Sequence, residues 1–576
     1  MKKLLTGNEA IARGFYEAGG SVASAYPGTP STEILENIAA FKDELYCEWA
    51  PNEKVAMETA IGASIAGARS LAAMKHVGVN VAADPLFTFS YTGVNGGFIL
   101  VSADDPELHS SQNEQDNRHY ARAAKMCMLE PANSQEAKDM VKIGFELSEK
   151  FNVPVMLRST TRICHSKSLV EIGQREDPGI RPYEKNRAKY DTIPAISRAL
   201  HVKVEERQKA LEAYSNFGAL NYAIDNGAAI GVVSAGVAFQ YAREVFGDKA
   251  NYFKVGMSYP MPIESIRKFA EGLDKLYVVE ELDPFMEDQL KAAGIPCVGK
   301  EIIPLIGELN PSIVQRALLG EENPALQVSS PVTNRAPALC AGCPHRGLYV
   351  ELGRHKDAIV SGDIGCYSLG GAEPYNAKDT SICMGASISV AHGMKKAFEH
   401  YGVEKKVVAV IGDSTFFHTG IAGVINAVYN EHDMVLVVLD NSTTAMTGHQ
   451  PHPGTGKTMM GNISDKISIE KVLEALGVAS IQTVDPLDLN AAKAAVKVAA
   501  DEKGISAIVF RSPCIAIVKP NKPMVVDTDK CVGCKACINK LGCPALVLDG
   551  KKVKVEPSLC TGCTLCAQVC PVGAIK

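Results

Sequence analysis

Two groups of side chains in this sequence have the types and spacing to do chemistry. The first is Asp413 and Asn441. Gly412-Asp413-Ser414 follows the apolar, β-branched run Val407–Ile411, and Asp440-Asn441 follows a second such run, Met434–Leu439. Between them, Phe416–Tyr429 carries apolar residues at helical spacing. A strand–helix–strand unit of this length makes parallel strands, so both segments leave the sheet at one edge. Open α/β sheets bind ligands at that edge. A carboxylate and an amide oxygen meeting there, with diphosphate oxygens, make a hard-oxygen site suited to Mg²⁺. The plainer alternative is a strand–turn–helix with an aspartate capping the helix. The second group is the cysteine-rich end: Cys531-x2-Cys534-x2-Cys537-x5-Cys543-Pro544, then Cys560-x2-Cys563-x2-Cys566-x3-Cys570-Pro571. Triple CxxCxxC runs let three thiolates grip one iron–sulfur cube, whereas four-cysteine zinc sites use two CxxC pairs.

The first group resembles the thiamine-diphosphate motif, Gly-Asp-Gly, about 25 residues, then Asn-Asn. Here the motif reads GDS, 25 residues, DN. The resemblance implies that Asp413 and Asn441 bind Mg²⁺, with the backbone carbonyl of Thr443 as a third ligand. It also assigns Gly412, Ser414 and Gly365 to cofactor binding. Ser414 for Gly and Asp440 for Asn depart from the pattern without removing a side-chain ligand. The tail resembles a bacterial two-cluster ferredoxin, in which each motif lends its fourth cysteine to the other cluster. That implies one [4Fe-4S] cluster on Cys531, Cys534, Cys537 and Cys570, and another on Cys560, Cys563, Cys566 and Cys543. The x5 spacing before Cys543, where x3 is usual, is expected to distort the second set.

Further matches lie upstream. Glu53, nine residues before Gly62, resembles the glutamate of a thiamine pyrimidine-binding domain. Such a carboxyl group hydrogen-bonds N1′ of the aminopyrimidine and favours the imino tautomer that removes the thiazolium C2 proton. A helix N-terminal acid is the alternative. Tyr26-Pro27-Gly28-Thr29-Pro30-Ser31 resembles the YPITPSS loop of 2-oxoacid:ferredoxin oxidoreductases, which implies that Thr29 contacts the substrate's carboxylate or carbonyl. A Pro-rigidified turn is the alternative. His109–Asn113, with Arg118 beyond, follows a strand end and is a candidate pocket wall. Cys340, Cys343, Cys366 and Cys514 stand in contexts similar to those holding a cluster near thiamine in the same family, implying a third [4Fe-4S] cluster. Four unrelated buried thiols are the alternative.

The elements that must position these groups alternate strand and helix, so the fold expected is α/β, with doubly wound parallel sheets. Early elements are a helix at Asn8–Glu17, a strand at Ser21–Tyr26, a helix capped by Ser31 or Thr32, a strand at Glu44–Trp49, a long helix at Glu53–Arg69, and strands at Phe98–Ser102 and Val153–Arg158. The domains expected are 1–190 (pyrimidine-binding), 220–325 (transketolase C-terminal-like), 335–520 (thiamine diphosphate and Mg²⁺) and 521–576 (two-cluster ferredoxin). A charged connection with a solvated helix spans 160–220, and a polar linker spans 324–336. At 576 residues and 46% apolar, the chain has ample core for several such domains. A net charge of −6 gives no reason to expect nucleic acid or an anionic membrane. No apolar run reaches the ~18 residues of a membrane span, and no secretory signal is evident, so a cytoplasmic location is expected. Eight of the seventeen cysteines fall in the last 46 residues, which favours metal ligation over disulfides.

Thiamine and ferredoxin motifs in one chain imply oxidative decarboxylation with one-electron carriers. The domain order resembles the alpha subunit of indolepyruvate:ferredoxin oxidoreductase. That resemblance implies CoA-dependent conversion of aryl pyruvates to aryl-acetyl-CoA, with ferredoxin as acceptor and a small beta subunit carrying the missing gamma domain in a hetero-oligomer. The alternatives are the same chemistry on pyruvate or branched-chain 2-oxo acids, or a non-oxidative thiamine-dependent decarboxylase.

Overall fold

The structure is a computed structural model, and it describes residues 1–322, 336–430 and 433–576. The expected linker at 324–336 lies, apart from Ala336, outside the described residues. The chain divides into two compact units, Met1–Val328 and Ser329–Lys576.

The first unit is built on a seven-stranded sheet. Its strands lie in the order Met257–Tyr259, Cys127–Leu129, Val155–Thr160, Phe98–Asp104, Ser70–Lys75, Val22–Ala25, Tyr46–Trp49. All neighbours are parallel except Met257–Tyr259, which runs antiparallel at one edge. Ser70–Lys75 and Phe98–Asp104 are buried along their whole length, as a parallel sheet covered on both faces requires. From Val22–Ala25 the chain steps to Tyr46–Trp49 on one side, then returns to Ser70–Lys75 on the other. The crevice beyond the carboxyl ends of Val22–Ala25 and Ser70–Lys75 is therefore the sheet's topological switch point.

Local signals set the helices around this sheet. Thr6 and Glu9 form a reciprocal capping box at the start of Gly7–Glu17. The Asn52 side chain accepts from Val55 N–H and starts Glu53–Ala66 in its place after the strand Tyr46–Trp49. The expected cap by Ser31 or Thr32 is not formed. Ser31 Oγ instead donates to the Gly28 carbonyl, and Thr32 Oγ1 accepts from Gly28 N–H, so both hydroxyls fold the preceding loop. The helix expected to be solvated, Pro194–Phe217, buries Leu200, Val204 and Leu211 along one face. A four-stranded sheet, ordered Lys275–Val279, Ile230–Ala235, Asn251–Val255, Tyr222–Ile224, completes the unit.

The second unit holds a five-stranded, all-parallel sheet: Ala358–Ser361, Lys406–Gly412, Met434–Asp440, Ile505–Arg511, Ser480–Val484. Gly412 pairs with Leu439, so Asp413 and Asn441 leave the sheet at the same edge. The expected helix after the first strand begins as a π-turn, Phe416–Gly420, and becomes regular over Ile421–Tyr429. The cysteine-rich tail is packed onto this body. Leu541, Leu546, Val555, Leu565 and Ile575 of the tail share one apolar core with Leu348 and Tyr349. Arg346, 1% exposed, joins the two parts by donating to the carbonyls of Leu339, Cys340 and Leu541.

Candidate functional site

In the second unit, Asp413 and Asn441 are 3% and 7% exposed. Asp413 Oδ1 accepts from Ser414 N–H at 2.8 Å, and Oδ2 faces His452 Nε2 at 3.1 Å. Burial pushes the Asp413 carboxyl up from its ordinary range, and the imidazole opposes that shift. A carboxylate this deep is costly unless a cation or strong donors face it. The donor set is hard oxygen, as Mg²⁺ requires, so the residues fit the ion. Asn441 Oδ1 faces Thr443 N–H at 3.4 Å, and Thr443 is itself buried. Asp440 points elsewhere. It accepts from Arg511 Nε at 2.7 Å and from Ser442 N–H at 3.1 Å, which accounts for a carboxylate where the motif has Asn. His452 follows the second strand by sequence, but a histidine there is as readily a packed or solvated side chain, so the sequence alone assigns it no role.

Gly412 and Gly365 serve one ring. A Cβ at either would stand 2.4 Å from Cε1 of Tyr367. The Tyr367 hydroxyl donates to the Ile364 carbonyl at 2.7 Å and lies 3.0 Å from Thr415 Oγ1, which pins the loop around Gly365 to the turn after Gly412. Ser414 Oγ accepts from the Thr444 hydroxyl at 2.9 Å, closing the same edge.

Cys340, Cys343, Cys366 and Cys514 come together beside this edge. Cys343 lies within electrostatic reach of Cys340 and Cys366, Cys366 of Cys340 and Cys514, and Cys514 of Cys340 and Asp413. Backbone N–H groups of His345 and Ala516 point at the sulfurs of Cys343 and Cys514. Such donors stabilise thiolate ligands. Burial, reinforced by the neighbouring thiols, pushes Cys343 up to about 12 and Cys366 to about 11, so these thiols need a nearby positive centre to ionise.

In the tail, Cys531, Cys534, Cys537 and Cys570 line one pocket, and Cys543, Cys560, Cys563 and Cys566 line another. The two extra residues before Cys543 extend the helix Ala536–Leu541 and a left-handed Gly542, which returns Cys543 to the second pocket. That pocket is also walled by Ala341 and Gly342, between Cys340 and Cys343. A Cβ on Gly342 would be 1.8 Å from Thr561 Oγ1, so the two cysteine loops are in direct contact.

In the first unit, Glu53 opens its helix and is 5% exposed. Its neighbour is Gly78, where a Cβ would lie 2.7 Å from both Cγ and Oε1 of Glu53. Gly62, which marked the motif in the sequence, has nothing within 4 Å of its would-be Cβ. Thr29 lies in the loop leaving Val22–Ala25 at the switch point. Arg118 is fully buried by Asp116 and Glu280, at 2.6 Å each, so it is an internal ion-pair residue rather than an open pocket wall.

Models of four families match the chain. They are pyruvate flavodoxin/ferredoxin oxidoreductase, thiamine diphosphate-binding (residues 13–219), indolepyruvate oxidoreductase domain (222–295), thiamine pyrophosphate enzyme, C-terminal binding domain (363–510), and 4Fe-4S binding domain (553–576). The indolepyruvate oxidoreductase subunit IorA of Archaeoglobus fulgidus is 40% identical over 100% of this chain and 97% of its own length. The chain belongs to the IorA family. Its namesake in Methanothermobacter thermautotrophicus is 41% identical over 100% of this chain and 97% of its own. That of Pyrococcus horikoshii is 42% identical over 93% and 91%. Membership makes this IorA-family chain an oxidoreductase of the 2-oxoacid:ferredoxin class, with a thiamine diphosphate-binding fold and an iron–sulfur tail. No helix among the described residues is long and apolar enough to cross a membrane.

Proposed function

We propose that the chain catalyses CoA-dependent oxidative decarboxylation of aryl pyruvates, indolepyruvate among them, with ferredoxin as electron acceptor. The observation that carries this reading is the run of cysteine sites beginning beside Asp413. Cys514 lies within electrostatic reach of Asp413 and of Cys340 and Cys366, Cys343 lies within reach of Cys340 and Cys366, and the Cys340–Cys343 loop touches the tail at Thr561. A non-oxidative decarboxylase has no use for such a run, since no electrons leave its site.

When bound, thiamine diphosphate supplies the nucleophile and the electron sink for a 2-oxo acid. The chain's residues divide the remaining work. Asp413, Asn441 and the Thr443 carbonyl hold Mg²⁺ and, through it, the diphosphate. Glu53 holds a proton at pyrimidine N1′, and Gly78 fixes where that carboxyl group stands. Thr29 orients the substrate. Three [4Fe-4S] clusters follow: one on Cys340, Cys343, Cys366 and Cys514, one on Cys543, Cys560, Cys563 and Cys566, and one on Cys531, Cys534, Cys537 and Cys570. The Gly342–Thr561 contact makes the first two neighbours. A small beta subunit supplies the gamma domain, and the complex works in the cytoplasm, where thiolate ligands stay reduced.

Anaerobic viologen reduction with indolepyruvate, pyruvate and 2-oxoisovalerate, each with and without CoA, tests the reading. Indolepyruvate with CoA is expected to give the highest kcat/KM. Equal rates without CoA, or a preference for pyruvate, overturn it.

A further inference from the structure

The carboxyl edge of the first unit's sheet holds one cation that no motif accounts for. Lys75 is the last residue of the strand Ser70–Lys75 and is 8% exposed. It stands at the topological switch point, opposite the loop that carries Thr29. Gly28 of that loop approaches so closely that a Cβ there would be 3.1 Å from Lys75 Cβ. Lys75 Nζ donates to a neutral acceptor, the Ser110 carbonyl. Asp105 lies within electrostatic reach but beyond salt-bridge distance, and its oxygens accept instead from Ser110 N–H, the Ser111 hydroxyl and the Thr161 hydroxyl. Among the described residues no carboxylate stands within salt-bridge distance of Lys75.

Burying an ammonium without an anion is expensive, and proteins avoid it unless a ligand completes the pair. Among the described residues of this unit, the other buried cations are paired, while the half-buried Arg207 donates to two backbone carbonyls. Arg118 has Asp116 and Glu280, Arg158 has Asp104 and Glu130, and Lys254 has Glu136. Three residues beyond Lys75, on the helix His76–Val81, Gly78 abuts Glu53. Between them, His76 is fully buried, and its Nδ1 has no partner. Lys75 therefore shares a wall with the carboxyl group proposed to face the pyrimidine, and the wall has an unspent donor or acceptor beside the unpaired charge.

We infer that the Lys75 ammonium binds the carboxylate of the 2-oxo acid substrate, at the switch point and beside Thr29. This inference rests on the 2-oxo acid reading above. A single buried ammonium suits a compact monoanion rather than the spread phosphates of CoA. Burial also pulls Lys75 down to about 8, so its charge is lightly held until an anion arrives.

The role predicts an unusual kinetic signature. The substrate's carboxylate becomes neutral CO₂, so attraction to Lys75 weakens on the way to the transition state. Losing an interaction that is stronger in the ground state than in the transition state raises KM and does not lower kcat.

The test uses the whole enzyme, with its partner subunit, in anaerobic viologen assays of wild type, Lys75→Met and Lys75→Arg. Phenylpyruvate is compared with phenylacetaldehyde, which has the same aryl group and no carboxylate. Lys75→Met is expected to raise the ratio of the two KM values by ~10–100-fold, from the loss of one hydrogen bond to a charged group. Lys75→Arg keeps the charge but not the compact geometry, so its ratio should rise less. An unchanged ratio in Lys75→Met, or an equal rise for both substrates, overturns the inference. If Lys75→Met does not fold, an unchanged ratio in Lys75→Arg does so. Failure of the wild type to use any 2-oxo acid is a different result and sinks the functional reading instead.

Discussion

The backbone N–H of Cys514 donates to the carbonyl of Asn441 at 2.9 Å. One hydrogen bond thus ties a proposed cluster ligand to a proposed Mg²⁺ ligand. Ser512 N–H donates to the Asp440 carbonyl at 3.1 Å, continuing the register of the paired strands Met434–Asp440 and Ile505–Arg511 past their ends. The sheet itself places Cys514, a ligand of the proposed first electron acceptor, beside the edge that carries Asp413 and Asn441.

Cys514→Ser should therefore remove one cluster and leave the rest. Three cubes amount to about 12 iron atoms per chain, and the variant should retain about 8. Anaerobic iron counting with electron paramagnetic resonance of the reduced protein measures this. The variant should also lose viologen reduction while its tail clusters remain reducible by dithionite. A wild-type count of about 8 would remove the third cluster from the scheme. Substitution is a cleaner test than truncation after residue 520, because the tail's Leu541, Leu546 and Ile575 complete a core shared with Tyr349.

Asp413→Ala should abolish retention of thiamine diphosphate and Mg²⁺. It should leave the tail's visible absorption intact, since the tail cysteines line separate pockets. His452 then loses its carboxylate partner at 3.1 Å. Cofactor content after desalting, measured by thiochrome fluorescence, decides the matter, and normal content would refute the ligand assignment.

Glu281 makes the first unit's stability pH-dependent. It is fully buried, and burial raises its carboxyl from 4.5 to about 7, against Leu309 N–H and Arg158, which favour the anion. The folded state therefore holds a proton between pH 4.5 and about 7 that the unfolded chain has released. Stability from this group is present below 4.5 and is lost as pH rises through 7, by up to roughly 3 kcal/mol. Glu281→Gln should flatten that slope and raise the melting temperature at pH 8. Thermal unfolding from pH 5 to pH 8 is the measurement, and parallel curves for the two proteins would exclude the assignment.

What the sequence made legible follows from signal strength. Val407–Ile411 and Met434–Leu439 are β-branched runs with punctuation after them, and the structure has strands at both. The eight tail cysteines declare themselves by spacing, and they line two pockets in the interlocked sets that the resemblance to a two-cluster ferredoxin implies. Ser70–Lys75 was invisible. Its sequence, SLAAMK, has no β-branched residue and continues an Ala- and Gly-rich helical stretch. Only burial on both faces of a parallel sheet makes it a strand, and that is a tertiary effect. With the strand went Lys75, His76 and Gly78, three residues of the switch-point wall. Gly62 drew notice by spacing alone, while Gly78, which touches Glu53, has no local signal.

That contact gives the last prediction. Glu53→Gln should keep thiamine diphosphate bound but slow deprotonation at C2 severely, because an amide cannot hold the N1′ proton as a carboxyl group does. Hydrogen–deuterium exchange at C2 of the bound cofactor reads this directly, and an unchanged rate would remove Glu53 from catalysis. Gly78→Ala tests position rather than chemistry. Its new methyl would stand 2.7 Å from Cγ and Oε1 of Glu53, closer than a Cβ is ever found, so the carboxyl group must move. A displacement of about 1 Å at a catalytic group costs on the order of 10²-fold in rate. Gly78→Ala should therefore slow C2 exchange with Glu53 intact and the cofactor retained. Gly62→Ala, at the position with nothing within 4 Å, should exchange as the wild type does. If the two alanine variants behave alike, the Gly78 contact does not set the position of Glu53.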